Sequence, residues 1–390
     1  MPPVKDPNAL VWGEVNIDPH TLSQGYTHQF NAGVEFGITK DMRVSVNYVG
    51  NRGERLHDGN LAYNEPAPAT YLKPWQAGTE WNWVSDAGSA AAAGVPYPYP
   101  GFAGYALQAV LPFPQVALTY GPLYYVGTPK GKTTYDAMQV QVIKRTGSSL
   151  TFDMSYNSSR SLGNTGTNFE ETWTTGGFQD FTKIDQEASI PSGSDVRQIV
   201  KGYVSYELPL GRGKRFLATS NAVDKFVGGW HATTLLHYNS GAPIFIWAAN
   251  PYYQWAGVYP NVNKQGDFGR KFHYGNFVPP TGSNKAPAGD KYFDGSLFSQ
   301  PTFGQLGTGP EASNQLRGFG HADEDAALLK YTSFGSDGRY KLSIRVEFYD
   351  LLNRHYFNNP NTDITSPAFG YVTGLSGTSR NGQFGARFQW

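Results

Sequence analysis

The chain has 390 residues, enough for one large all-β domain or two ordinary ones. Its 31 Lys+Arg balance 31 Asp+Glu, so no net field recruits nucleic acid or an acidic surface. Only 16% of residues are charged and 15% are aromatic, with 46 Gly and 26 Pro gathered between periodic segments, a turn-rich and β-rich composition below the level of low-complexity disorder. The absence of cysteine excludes disulfides and thiolate metal sites. No window approaches the run of about eighteen apolar residues that a spanning helix needs, so any membrane crossing would have to be a barrel.

Period-2 alternation predicts about nine strands, near Gln24 to Phe36, Met42 to Val49, Tyr135 to Arg145, Leu150 to Asn157, Gln198 to Leu208, Trp230 to Ile244, Ala327 to Phe334, Tyr340 to Leu351 and Arg380 to Trp390. Val44, Val46 and Tyr48 share one face while Arg43, Ser45 and Asn47 share the other. Likewise, Leu342, Ile344, Val346 and Phe348 oppose Lys341, Ser343, Arg345 and Glu347. In Trp230 to Tyr238 only Leu235 breaks the polar face.

A soluble sandwich also alternates, so the connections must decide. Links at Thr39 to Asp41, Arg145 to Ser149 and Gly335 to Arg339 are short, and that from Pro209 to Gly229 is somewhat longer. The stretches from about Asn51 to Thr133, Ser158 to Asp195, Ile246 to Gly320 and Asn353 to Ser379 are long and irregular. Short turns at one end and long loops at the other match an antiparallel transmembrane β-barrel of the Gram-negative outer membrane, with outer-membrane lipid as its surround. Bacterial barrels use even strand numbers, so about nine implies a partial barrel. Met1 to Pro7 lacks the basic start and apolar stretch of a secretory signal. We therefore expect Met1 to Ser23 to be the tail of an upstream loop, and residues 1–390 to be the C-terminal part of a barrel domain whose plug is absent. A cytoplasmic protein is the rival explanation of that N-terminus.

The last residues place Gln383, Gly385, Phe388 and Trp390 in the order polar-x-Gly-x-x-aromatic-x-aromatic. This resembles the C-terminal signal read by the barrel-assembly machinery. Further segments are Tyr48-Val-Gly-Asn-Arg-Gly-Glu-Arg-Leu56, Tyr135 to Gln141, Ser155 to Leu162, Tyr206-Glu-Leu-Pro-Leu-Gly-Arg-Gly-Lys214, Gly228 to His231 and Arg345-Val-Glu-Phe-Tyr-Asp-Leu-Leu-Asn-Arg354. In order and spacing they resemble the TonB-dependent transporter superfamily and, within it, the Oar-like receptors. The resemblance implies a barrel of typically twenty-two strands that takes up a bulky ligand, energised by a TonB-type partner acting through the N-terminal region. This sequence departs from the family pattern in lacking the plug, the energy-coupling box and the early strands.

The long loops hold Trp75, Trp81, Trp83, Tyr97, Tyr99 and Tyr105, then Trp247, Tyr252, Tyr253, Trp255 and Tyr259. Exposed rings stack on sugar faces or grip apolar ligands, so Trp75, Trp81, Trp83, Trp247, Tyr252, Tyr253 and Trp255 are the candidate ligand contacts. Packing of the loops against each other, or an outer aromatic girdle, is the preferred reading of the same rings.

Candidates for chemistry are weak. Glu170 and Glu171 are adjacent and would point to opposite faces of a strand. His321, Asp323, Glu324 and Asp325 precede a strand and lack calcium-loop spacing. The Gly211 to Arg215 stretch lacks the order of a phosphate loop and reads as a basic periplasmic turn. No catalytic residue, metal site or cofactor is assigned, and an enzyme is not expected. The alternative is a secreted carbohydrate-binding or carbohydrate-active β-protein whose apolar strand faces pack on each other.

Overall fold

The computed structural model describes residues 15–17, 24–56, 61–62, 68–115, 123–125, 129, 131–145, 149–163, 190–191, 194–217, 221–246, 248, 259–263, 268, 271–281, 285–302, 307–309, 312–335, 337–377 and 379–390. Nine long strands form one antiparallel meander in chain order: β1 (Tyr26–Thr39), β2 (Met42–Leu56), β3 (Gly131–Lys144), β4 (Leu150–Gly163), β5 (Gln198–Glu207), β6 (Trp230–Asn239), β7 (His321–Phe334), β8 (Tyr340–Tyr349) and β9 (Asn381–Gln389). A two-residue strand, Ile190–Pro191, adds to β4 off this path. All nine predicted strands are present. The sheet is not closed: among the described residues, β1 and β9 are each paired on one side only.

The register carries the functional information. Val34, Val46, Val140, Tyr156, Val200, Tyr238 and Ala322 are successive cross-strand partners from β1 to β7. One residue along, Glu35, Ser45, Gln141, Ser155, Lys201, His237 and Asp323 form the parallel row on the opposite face. A slip of one residue would exchange these faces, so the pairing is strongly specified. On β7 to β9 the apolar row continues as Leu328, Val346 and Phe384.

That apolar face is uncovered over most of its extent, with Phe30, Val34, Phe36, Met138, Leu328, Phe348, Phe384 and Phe388 all exposed. Nine strands at about 4.8 Å spacing make the band about 38 Å wide, and the rise from Leu342 to Phe348 makes it about 20 Å tall. The product, about 800 Å², exceeds the roughly 300–600 Å² of the largest apolar patch on a typical soluble monomer. No second sheet covers the band among the described residues, which disfavours a sandwich.

Several strands run further than the alternation predicts. β2 continues to Leu56, β4 to Gly163, and β7 begins at His321. The added residues lie at the long-loop end. There both faces meet polar surroundings, so apolar alternation fades while the hydrogen-bond ladder continues, as in the pairing of Thr133 with Gly163. His321, Asp323, Glu324 and Asp325 therefore lie within β7 rather than before it. The described residues of the short links are few. At one of these links Gly335 (φ +90°) and Gly338 (φ +64°) hold the left-handed backbone that brings β7 back as β8.

The buried cores lie in the loops. Between β2 and β3, helices α1 (Pro68–Ala77), α2 (Ala87–Ala92) and α3 (Ala106–Ala109) enclose Tyr71, Leu72, Val84, Phe102 and Leu107. The loops after β6 and β8 share a second core of Ile244, Phe268, Tyr292, Phe293, Phe298, Leu316, Phe369 and Val372. In sequence these stretches look irregular; their described residues form packed units.

Candidate functional site

The polar face forms a wall. Gln141, Asp153, Lys201, Tyr203, His237 and Asp325 line an open concavity of about 560 Å³ across β3 to β7. The row Gln141, Ser155, Lys201, His237 and Asp323 sets donors and acceptors at strand spacing, and Gln141 donates from Nε2 to Asp153 Oδ1 at 2.8 Å. Such a wall can hydrogen-bond a polar solute along its path. His321, Asp323 and Asp325 share this face, whereas Glu324, one step out of phase, lies on the other. It is buried there, accepting from Tyr238 Oη (2.7 Å) and Arg354 Nε (2.9 Å). Alternation thus splits the four residues into two sets facing opposite ways.

Above the long-loop end, the first loop unit presents an aromatic ladder. Thr79 N–H donates to the Pro74 carbonyl (2.9 Å), ending α1 so that Trp81 emerges beside Trp75. Trp83 pairs with Tyr105 in a two-residue ladder that starts α3. Trp75 and Trp81 meet edge-to-face at 5.9 Å, Trp81 and Tyr105 at 5.6 Å, and Trp83 and Tyr105 at 5.4 Å. Trp75 is half-buried against the core, while Trp81 (55%) and Trp83 (54%) stay exposed. The unit beneath is braced by Asp86. Its carboxyl caps α2 through Ser89 N–H (2.8 Å), a bond that holds Asp86 below the usual carboxylate range.

The loop rings divide by exposure. Tyr97 and Tyr99 pack on the core and Tyr259 is buried, whereas Trp81, Trp83 and Tyr105 offer open ring surface. Trp247, Tyr252, Tyr253 and Trp255 lie outside the described residues, as do Glu170 and Glu171.

A buried ionic knot joins the loops to the wall, which sequence reasoning missed. Asp195 has a fully buried side chain. It accepts from Ser161 N–H of β4 (2.6 Å), from Arg197 Nε (2.9 Å) and from Arg317, which also donates to the Asp195 carbonyl (2.6 Å) and the Gly241 carbonyl (3.3 Å). Burial pushes the Asp195 carboxyl up. The bonds from Ser161, Arg317 and Arg197 outweigh it and hold the carboxyl below its ordinary value.

At the other end, Phe384 and Phe388 of β9 extend the apolar face. Phe388 stacks between Tyr340 (6.0 Å) and Trp390 (6.2 Å). Gln383 faces the wall, where it donates to Glu347 and to Tyr349 Oη. A Cβ added at Gly385 would meet open space, so packing within this chain gives no reason for glycine there.

A meander with one greasy and one wet face, shorter links at one end and long, partly folded loops at the other, is the wall of a transmembrane β-barrel. The chain belongs to the outer membrane beta barrel domain family, whose model matches residues 6–383, and its place is the bacterial outer membrane. No curated protein matches it in sequence. Among solved structures, it is similar to the outer membrane transporter YddB from Escherichia coli, with 8% identity over 97% of this chain and 34% of that one, TM-score 0.43. The FrpB iron transporter from Neisseria meningitidis gives 7% identity over 96% of this chain and 33% of that one, TM-score 0.38. The ferripyoverdine receptor of Pseudomonas aeruginosa gives 10%, 94%, 27% and 0.36 for the same quantities. The chain spans about a third or less of the length of these proteins.

Proposed function

We propose that the chain is the C-terminal barrel segment of an Oar-like, TonB-dependent outer-membrane receptor that takes part in uptake of a bulky ligand. The carrying observation is the polar wall of β3 to β7 running beneath folded, aromatic-bearing loops, which offers a ligand a capture surface and then a hydrogen-bonding path. The ordered family-like segments from Tyr48 to Arg354 support the finer assignment. So does the open nine-strand path, because bacterial barrels close with even numbers. In this reading a plug and a TonB-type partner act through an N-terminal region that completes the barrel.

The test compares uptake of fluorescent oligosaccharides, peptides and metal chelates by cells with and without the full-length gene. Uptake of one class that needs both the gene and the energy-coupling partner supports the proposal; identical uptake of every class counts against it. For that class, Trp81→Ala with Trp83→Ala is expected to weaken binding by about 1–3 kcal/mol, because aromatic contacts typically contribute about 0.5–1.5 kcal/mol each beyond the area they bury. Outer-membrane levels should be unchanged. Equal affinity in titration would remove the aromatic ladder from the site.

We further propose that Gln383, Gly385, Phe388 and Trp390 are read by the barrel-assembly machinery. Deleting Phe388 and Trp390 from the full-length parent should lower outer-membrane insertion, measured as the heat-modifiable folded fraction. Undiminished insertion would contradict that role.

A further inference from the structure

The connection between β5 and β6 is longer than the other links at its end of the sheet, and it does not simply turn. Its helix α4 (Asn221–Val227) folds onto the apolar face. The Thr332 hydroxyl donates to the Lys225 carbonyl (3.1 Å), Lys330 Nζ donates to the Gly228 carbonyl, and Trp230 Nε1 donates to the Phe226 carbonyl (3.1 Å). Those three side chains lie on the apolar rows, since Trp230 pairs with Lys330, Lys330 with Ile344, and Thr332 with Leu342. The helix is therefore clasped by its carbonyls to the outside of the wall. Gly229, at φ +71°, makes the approach possible, since a Cβ there would sit 2.4 Å from the Tyr331 carbonyl oxygen.

Clasped this way, α4 turns its greasy side chains outward. Phe226 is 78% exposed and Val223 46%, and on the preceding arm Phe216 and Leu217 are exposed too. Basic side chains accompany them. Residues 207–229 carry Arg212, Lys214, Arg215 and Lys225 against Glu207 and Asp224. Glu207 pairs with Lys214 (2.9 Å), and Asp224 accepts the Arg212 N–H (2.5 Å). This surface is continuous with the lipid-facing band and sits at the short-turn, periplasmic end.

We propose that this arm is an interfacial foot, in which Phe226 and Val223 enter the headgroup and acyl boundary of the periplasmic leaflet while Arg212 and Arg215 meet anionic phospholipid headgroups. Apolar side chains beside a basic cluster, on an element held against the lipid-facing side of the wall, have the make-up of surface-bound helices. The arm would fix the height of the wall in the membrane.

The chain contains no cysteine, so single reporters are clean. The full chain, reconstituted in phosphatidylcholine vesicles with or without phosphatidylglycerol, is spin-labelled at Val223→Cys, at Phe226→Cys, or at Asp337→Cys in the short β7–β8 turn. Expected is a several-fold lower collision rate with a water-soluble nickel complex at 223 and 226 than at 337, with oxygen access kept at both. Phosphatidylglycerol should deepen both labels, and Arg212→Gln with Arg215→Gln should abolish that deepening. Nickel access at 223 and 226 equal to that at 337 would overturn the proposal. So would shielding from both oxygen and nickel, which marks contact with a second copy of the chain, and so would depths indifferent to phosphatidylglycerol.

Discussion

Replacing Asp195 with alanine is expected to lower the stability of the folded barrel segment by about 3–5 kcal/mol, the cost of removing one partner of a buried ion pair. The size follows from what is left behind. Arg317, mostly buried, loses the carboxylate it grips, Ser161 N–H loses its acceptor, and Arg197 loses its pair. Asp195→Asn keeps the volume and an acceptor for Ser161 while removing the charge, so its loss should be smaller. Urea unfolding of the lipid-reconstituted chain measures both; an unchanged midpoint for the alanine variant would show that the knot is ornamental. The pH dependence has a definite sign. The folded-state pKa of Asp195 is depressed, so its contribution is fully present above the unfolded carboxyl value of about 3.9 and is lost as pH falls through the lower folded value. Acidification should therefore loosen the loops of the native protein and have less effect on Asp195→Ala.

The second large effect concerns the apolar face. Val346 sits mid-strand on β8 between Leu328 and Phe384. Val346→Arg should cost about 2–4 kcal/mol in a bilayer, because a guanidinium near the midplane loses its hydration. Ser343→Glu, on the opposite face beside Tyr331 and Arg387, should change stability by no more than about 0.5 kcal/mol. The asymmetry matters more than either value. The two sites lie three residues apart on one strand and on opposite faces, and equal costs in lipid vesicles would mean that the two faces are not lipid and water.

The parts of this molecule that were legible are those for which the membrane sets the rule. Val44, Val46 and Tyr48 against Arg43, Ser45 and Asn47 can be read by eye because one face must be greasy and the other wet, and all nine strands follow from that contrast. Where it lapses, legibility lapses too. Asn51 to Leu56 and His321 to Asp325 continue their strands beyond the alternating belt, held by ladder hydrogen bonds that leave little mark in the sequence. The loop cores depend on distant partners: Phe293 meets Phe369 and Phe298, and Asp195 meets Arg317 from 122 residues away. No local pattern announces such contacts. The Trp81, Tyr105 and Trp83 ladder was half legible, since the rings were conspicuous but which stayed open depended on the fold beneath. The wall row through Gln141, Lys201 and His237 needed the register, which the sequence supplies strand by strand but not across strands.

The central claim is that the face bearing Ile344 and Val346 meets lipid while that bearing Ser343 and Arg345 meets the aqueous interior. Single cysteines at successive positions from Leu342 to Phe348, in the otherwise cysteine-free chain, can be challenged with a water-soluble maleimide in outer membranes. Labelling at 343 and 345 with protection at 342, 344, 346 and 348 is the predicted result, Glu347 being buried against Gln383. Labelling without a period of two, or a chain that stays folded and monomeric in plain buffer with 344 and 346 protected, would contradict it.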